Sequence, residues 1–212
     1  MVISGTIVNV SIPDVMGAFG VGQDTAQFLA TAYICTMTAS QLLNAWFVSR
    51  LGARLAFIVV IINFIFWGLV CNAATSIEVL ILGRAMQGFS AGIVQPLVMV
   101  TIMQVYPLEE RGKAAGIYIS GLALAMGFGP VIGGLTIDTV GWRYIFLVPM
   151  PVMALSLFLG TIFMPSAKPD EAPRDFDWLG FALLCITIYC LMTAIANGNR
   201  EGWTSDSIVT HT

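Results

Sequence analysis

The chain has 212 residues, 58% of them hydrophobic and only 10% charged, a net charge of −3 and a mean hydropathy of +0.88. Soluble domains carry about 25% charged residues, so this chain could not cover a water-facing surface. The small negative charge excludes a nucleic-acid partner, which would need a basic face.

The charges sit between long silent windows. Met1–Pro13 is uncharged but short, and it lacks the charged flank and cleavage site of a signal peptide. It is expected to be the inner part of a first helix, either one whose beginning is missing or one that continues past Pro13 toward Gly20. Uncharged windows follow at Thr25–Ser49, Leu55–Ile77, Ala114–Ile137, Tyr144–Ala167 and Trp178–Asn199, each of at least 22 residues. Val79–Leu108 is broken only by Arg84. A helix needs about 20 apolar residues to cross the hydrocarbon core, so seven crossings are predicted. The apolar runs are continuous rather than alternating, which excludes a transmembrane barrel. The class is all-α, a polytopic membrane helical bundle.

Local signals set the helix ends. Asp24-x-x-Gln27 and Thr75-x-x-Glu78 have capping-box spacing before the second and fourth crossings. Pro107, Glu109 and Glu110 suit the first turn of the fifth. The polar stretch 165–177 reads as a linker. The expected organisation is a six-helix bundle over 1–164, the linker 165–177, a seventh helix over 178–197 and an outer loop over 198–212.

The loops after even-numbered crossings hold Arg50, Arg54, Arg111, Lys113, Lys168 and Arg174. The others hold only Arg143 and Arg200. This positive-inside bias places the even loops and the amino terminus in the cytoplasm of a multi-pass protein of the inner or plasma membrane. Trp142 and Tyr144 then fall at the outer interface.

Arg84 is the sharpest chemical feature. Counted from Thr75 it lies roughly 14 Å into the membrane. A guanidinium there costs at least about 2.5–3.5 kcal/mol on insertion scales, so it must face a polar cavity or an internal partner. A substrate or coupling site and an interhelical anchor are the two readings, and the first is favoured. Gln87 lies on the same helix face. Thr6, Asn9, Tyr33, Gln41 and Gln95 are uncharged polar residues inside crossings, able either to line a cavity or to bond between helices. Gly88 with Gly92, and Gly129 with Gly133, are small-x-x-x-small pairs that let helices approach. The second pair belongs to a cluster, Gly127, Gly129, Pro130, Gly133 and Gly134, denser than packing alone needs, and Pro130 should bend its helix. The turn Ser49–Arg54, with Arg50, Gly52 and Arg54, reads as a topology signal or a latch between bundle halves. Cys35, Cys71, Cys185 and Cys190 lack metal or disulfide spacing, and the single histidine, His211, sits in the terminal loop. No catalytic or metal-ligand set is present, so the chain is read as not an enzyme.

These motifs fall in a known order. Thr6–Pro13 resembles the helix-one signature of the fourteen-helix drug:proton antiporters of the major facilitator superfamily. Asn44–Arg54 resembles that superfamily's cytoplasmic loop motif, Arg84–Gly88 its helix-four arginine motif, and Gly127–Gly134 its helix-five antiporter motif. Trp142–Phe146 and Asn197–Ser205 are similar to the start of helix six and the loop after helix seven. The resemblance covers nearly the whole chain. It implies the amino-terminal six-helix bundle of that fold, two inverted three-helix repeats, with one extra linker helix. It further implies alternating-access efflux of amphipathic small molecules, driven by a proton gradient without a bound cofactor. The lipid bilayer is the setting, and some relatives add a periplasmic adaptor and an outer-membrane channel. Three positions, in two of the motifs, depart from the pattern. Ser4 stands where the helix-one signature often has an aspartate, and Ser49 and Asn44 replace the loop motif's aspartate and first glycine. No carboxylate is therefore expected at membrane depth. Rival readings are an exporter of one metabolite, lipid or siderophore, and a non-transporting scaffold or sensor that keeps the fold.

Overall fold

The structure is a computed structural model that describes residues 1–164 and 177–201. The linker 165–177 and the outer loop fall largely outside the described residues. Helix forms in every predicted window, and no strand occurs among the described residues. The first crossing is α1 (Val2–Ile7), a 3-10 turn (Val8–Ser11) and α2 (Ile12–Phe19). Pro13 explains the break: it lacks an N–H, and its ring crowds the carbonyl four residues earlier. Gly20, at φ 64°, closes α2, and only glycine enters that region freely. The helix therefore does run past Pro13, and it carries the exposed Asp14 with it.

The second crossing is α3 (Gln23–Gln41) followed by α4 (Asn44–Leu51), with a turn at Leu42 and Leu43. The third is α5 (Ala53–Asn72), the fourth α6 (Ile77–Val105) and the fifth α7 (Leu108–Val140). The sixth opens with a 3-10 turn (Trp142–Phe146) and continues as α8 (Met150–Phe163), because Pro149 and Pro151 deny that junction its helical donors. The seventh, α9 (Trp178–Glu201), belongs to a separate compact unit. Five crossings are long and apolar enough to span a membrane among the described residues. The second has the length, but Thr31, Thr36, Thr38, Ser40 and Gln41 lower its hydropathy.

Both capping-box readings are corrected. Gly22 caps α3, and Asp24 lies in its first turn. Ser76, one residue after Thr75, caps α6 by accepting from the Val79 N–H at 3.5 Å. Pro107 does cap α7, ahead of Glu109 and Glu110, where negative charge meets the positive end of the helix dipole. Helix α7 stays continuous through Pro130.

Within the first unit α6 packs against α3 and α5, α1 against α7, and α5 against α8. Exchange the first three crossings with the second three, and first–fifth becomes fourth–second while third–sixth maps onto itself. Apart from the strong third–fourth contact, whose counterpart between the first and sixth crossings is slight, the packing has the symmetry of two related three-helix repeats. An odd number of crossings per repeat makes the two inverted.

Candidate functional site

Glycines bring the site together. A Cβ on Gly88 would overlap the Tyr33 carbonyl oxygen and Thr36 Oγ1, and one on Gly92 would overlap the Met37 carbonyl oxygen and Ser40 Oγ. Backbone meets backbone along α3 and α6, and Thr36 Oγ1 donates to the Ala85 carbonyl at 2.7 Å. This contact seats Tyr33 beneath Arg84, one turn before Gly88. Gly5 clears the other side of the ring: a Cβ there would lie 3.1 Å from Tyr33 Cε1.

Arg84 is fully buried. Its Nη1 donates to Ser4 Oγ at 3.0 Å and to Gln87 Oε1 at 3.0 Å, and its Nε donates to the Leu29 carbonyl at 3.3 Å. The guanidinium carbon sits 4.2 Å from the centre of the Tyr33 ring, a cation–π contact of up to about 2 kcal/mol when desolvated. Tyr33 in turn donates its hydroxyl to the Met1 carbonyl at 2.9 Å. One guanidinium therefore joins α1, α3 and α6. None of these partners is an acid. Arg84 Nη2 and Gln87 Nε2 are buried with no hydrogen-bond partner among the described residues. Removing a charge from water costs several kcal/mol even after relaxation, and the neutral partners offset only part of that.

The observed start of α6, Ile77, shortens the helical count to Arg84 by two residues from the count begun at Thr75. The arginine lies seven residues into the 29-residue α6. That is about 10 Å along a helix of about 43 Å. The helix outruns a hydrocarbon core of about 30 Å, and the arginine stands midway between its amino-terminal end and its centre.

The predicted site residues do not all converge. Arg84, Gln87 and Tyr33 form one cluster. Thr6 packs elsewhere, on Gly129, whose Cβ would lie 3.1 Å from Thr6 Cβ, and Gly133 fits beside Ile7. Asn9 is exposed, and Gln41 pairs with Gln95 at 3.4 Å near the surface. Gly127 and Gly134 have nothing within 4 Å of where a Cβ would stand, and Pro130 is exposed. The glycine cluster thus divides into Gly129 and Gly133, which pack on the first crossing, and the rest, which face away from the bundle. In the loop, Arg50 stacks 5.5 Å from the Trp46 ring, Gly52 takes φ 77° and Arg54 donates to the Thr161 carbonyl. These contacts tie the turn to its own unit.

Ser4 was legible as a departure from the motif but not as a ligand of Arg84. Asn44 stood out only as a departure from the loop motif, and Asn63 did not stand out at all. Asn44 Nδ2 donates to the Ile93 carbonyl at 2.7 Å, and Asn63 Nδ2 donates to Ser90 Oγ at 2.8 Å. Both hold α6 to its neighbours.

The profile of the Major Facilitator Superfamily matches residues 1–198. Multidrug resistance protein Stp of Mycobacterium tuberculosis is 32% identical over 200 residues, 94% of this chain and 37% of that protein. Riboflavin transporter RibZ of Clostridioides difficile is 28% identical over 191 residues, 89% of this chain and 42% of that protein. The crystal structure of an auto-inhibited POT family peptide transporter superposes with a TM-score of 0.57 at 15% identity, covering 95% of this chain and 47% of that one, and shows a shared fold. The chain spans about two fifths of the length of these curated relatives. A membrane bundle of related three-helix repeats, with a buried arginine in its fourth crossing and a profile match over almost all of its length, belongs to the Major Facilitator Superfamily, a family of multi-pass membrane transporters of small molecules and not of enzymes.

Proposed function

We propose that the chain forms the amino-terminal part of a proton-coupled exporter of drugs or other amphipathic small molecules, working by alternating access in the inner or plasma membrane with its amino terminus in the cytoplasm. The observation that carries this reading is the Arg84 cluster. A permanent charge is kept dry at the contact of both repeats, at a cost that packing alone does not require. The names of relatives such as Stp support drugs as the substrate class. The six-to-two loop bias supports the orientation. Gly127, Pro130 and Gly134 face away from the bundle, as a hinge surface between two halves would.

Arginine cannot release its proton, so the coupling acid is another residue. Asp14 is exposed and lies ten residues after Ser4 in the chain. We place the acid in the further chain that full-length relatives have. A periplasmic adaptor and outer-membrane channel remain part of this proposal for an envelope with two membranes. The second reading, export of one metabolite, draws support from the relative named as a riboflavin transporter.

The test is efflux of a fluorescent dye and of riboflavin from cells or proteoliposomes carrying the full-length protein. Arg84→Ala should abolish transport at unchanged membrane abundance, and collapse of the pH gradient should stop it. Wild-type efflux from the variant would refute the site. Efflux indifferent to the gradient would refute proton coupling. Riboflavin moved without any dye would favour the second reading.

A further inference from the structure

Three polar groups around Arg84 have hydrogens to give. Arg84 Nη2 and Gln87 Nε2 are buried donors without a partner among the described residues. They adjoin through the bond from Arg84 Nη1 to Gln87 Oε1. Ser4 Oγ accepts from Arg84 Nη1, which leaves its own O–H to donate. The acceptors in the cluster are already engaged: Leu29 O, Ser4 Oγ and Gln87 Oε1 all take hydrogens from Arg84. A surplus of donors around a permanent cation is the chemistry of an anion receptor.

Enclosure sets the size of the anion. Arg84, Gln87 and Ser4 are each 1% exposed or less within this unit alone. The walls come from four helices: Ser4 on α1, Tyr33 on α3, Gly68 on α5 and Arg84 with Gln87 on α6. Gly68 is the wall beside the amide: a Cβ there would stand 2.6 Å from Met150 Cε, 3.0 Å from Gln87 Nε2 and 3.4 Å from the Phe146 carbonyl oxygen. Walls that close, around side chains so fully buried, favour a compact anion over a bulky organic one. We propose that Arg84, Gln87 and Ser4 form a binding site for a small monovalent anion, a halide or a compact carboxylate. The anion accepts from Arg84 Nη2, Gln87 Nε2 and the Ser4 hydroxyl and neutralises a guanidinium that no acidic side chain touches. The inference deepens the proposed transport reading, since it names a regulatory ligand for the same cluster, but its test reads binding and not efflux.

The experiment is thermal unfolding of the purified protein in detergent, followed by tryptophan fluorescence at constant ionic strength. Chloride, and separately formate, replaces gluconate, which is too large to enter. Wild type should show a saturable rise in Tm of about 2–4 °C. Saturation by chloride marks an inorganic counter-ion, saturation by formate alone marks a receptor for carboxylates, and either supports the site. Two variants locate the effect without discarding the arginine. Ser4→Asp supplies a carboxylate from the chain itself, so its Tm in gluconate should be at least that of wild type, with no further rise on adding chloride or formate. Gln87→Leu removes one donor and should raise the half-saturating concentration about tenfold. A wild-type Tm indifferent to both anions overturns the proposal, and so does an anion response that persists unchanged in both variants. Because dye transport is not measured, failure here leaves the exporter reading standing, and failed efflux leaves this site standing.

Discussion

The helix contact that seats Tyr33 under Arg84 can be tested by one methyl group. In Gly92→Ala the new Cβ would overlap the Met37 carbonyl oxygen and Ser40 Oγ and lie 2.9 Å from the Met37 carbonyl carbon. Two of these atoms belong to the α3 backbone and cannot swivel aside. The helices must part, at an overpacking cost of about 1–3 kcal/mol, near the upper end because backbone is struck. Alanine returns about 0.8–1.0 kcal/mol of helix propensity, for a net loss of about 2 kcal/mol. Gly134→Ala is the matched control, since nothing lies within 4 Å of its Cβ. It keeps the propensity gain, up to about 1 kcal/mol. The two substitutions should therefore differ by about 3 kcal/mol. Reversible unfolding of the purified chain by SDS in mixed micelles, followed by tryptophan fluorescence, measures the difference. Variants that agree within about 0.5 kcal/mol would refute the close-contact account of Gly88 and Gly92.

Two further pairs of substitutions probe the site and the loop. Tyr33→Phe keeps the ring under Arg84 but loses the bond to the Met1 carbonyl; a loss of about 1 kcal/mol is expected, and Tyr33→Ala should cost several times as much in the same unfolding assay. Gly52 sits at φ 77°, ψ 158°, a region that costs other residues about 1–3 kcal/mol, so Gly52→Ala should lower stability by that amount while Gly17→Ala, with open space around it, should not.

The crossings were legible because charge is excluded from hydrocarbon, and a window of more than 20 uncharged residues is long enough to cross it and too apolar to stay in water. Ends and breaks were less so. Thr75 and Ser76 are equally good caps by type, and only the direction of the chain into α6 chose the second. The 3-10 turns at Val8–Ser11 and Trp142–Phe146 follow from Pro13, Pro149 and Pro151, which the hydropathy windows passed over. In the site, Arg84 stood out because a charge inside an apolar run is conspicuous. Its partners did not stand out. Ser4 is 80 positions away and Leu29 contributes a carbonyl that any residue has. Spacing alone cannot separate Tyr33, which reaches the arginine, from Gln41, two turns further along the same helix, which pairs with Gln95 instead.

The burial of Arg84 also bears on how it could serve transport. Its partners come from both repeats of one unit: Ser4, Leu29 and Tyr33 from the first three crossings, Gln87 from the fourth. If alternating access proceeds by rocking one bundle against another, these contacts travel together and the guanidinium stays dry throughout. A substrate in the cleft between bundles would then not touch it. What such a residue can do is set the potential of the wall behind the cleft, because a charge in a low-dielectric interior is poorly screened. That potential disfavours cations nearby and lowers the pKa of acids that face it. On this view the anion site is the tuning element of the proposed exporter. With the anion bound the wall is neutral, and without it the wall is positive. Occupancy of the site at Arg84, more than any direct contact with substrate, would decide which charge of molecule the cleft accepts.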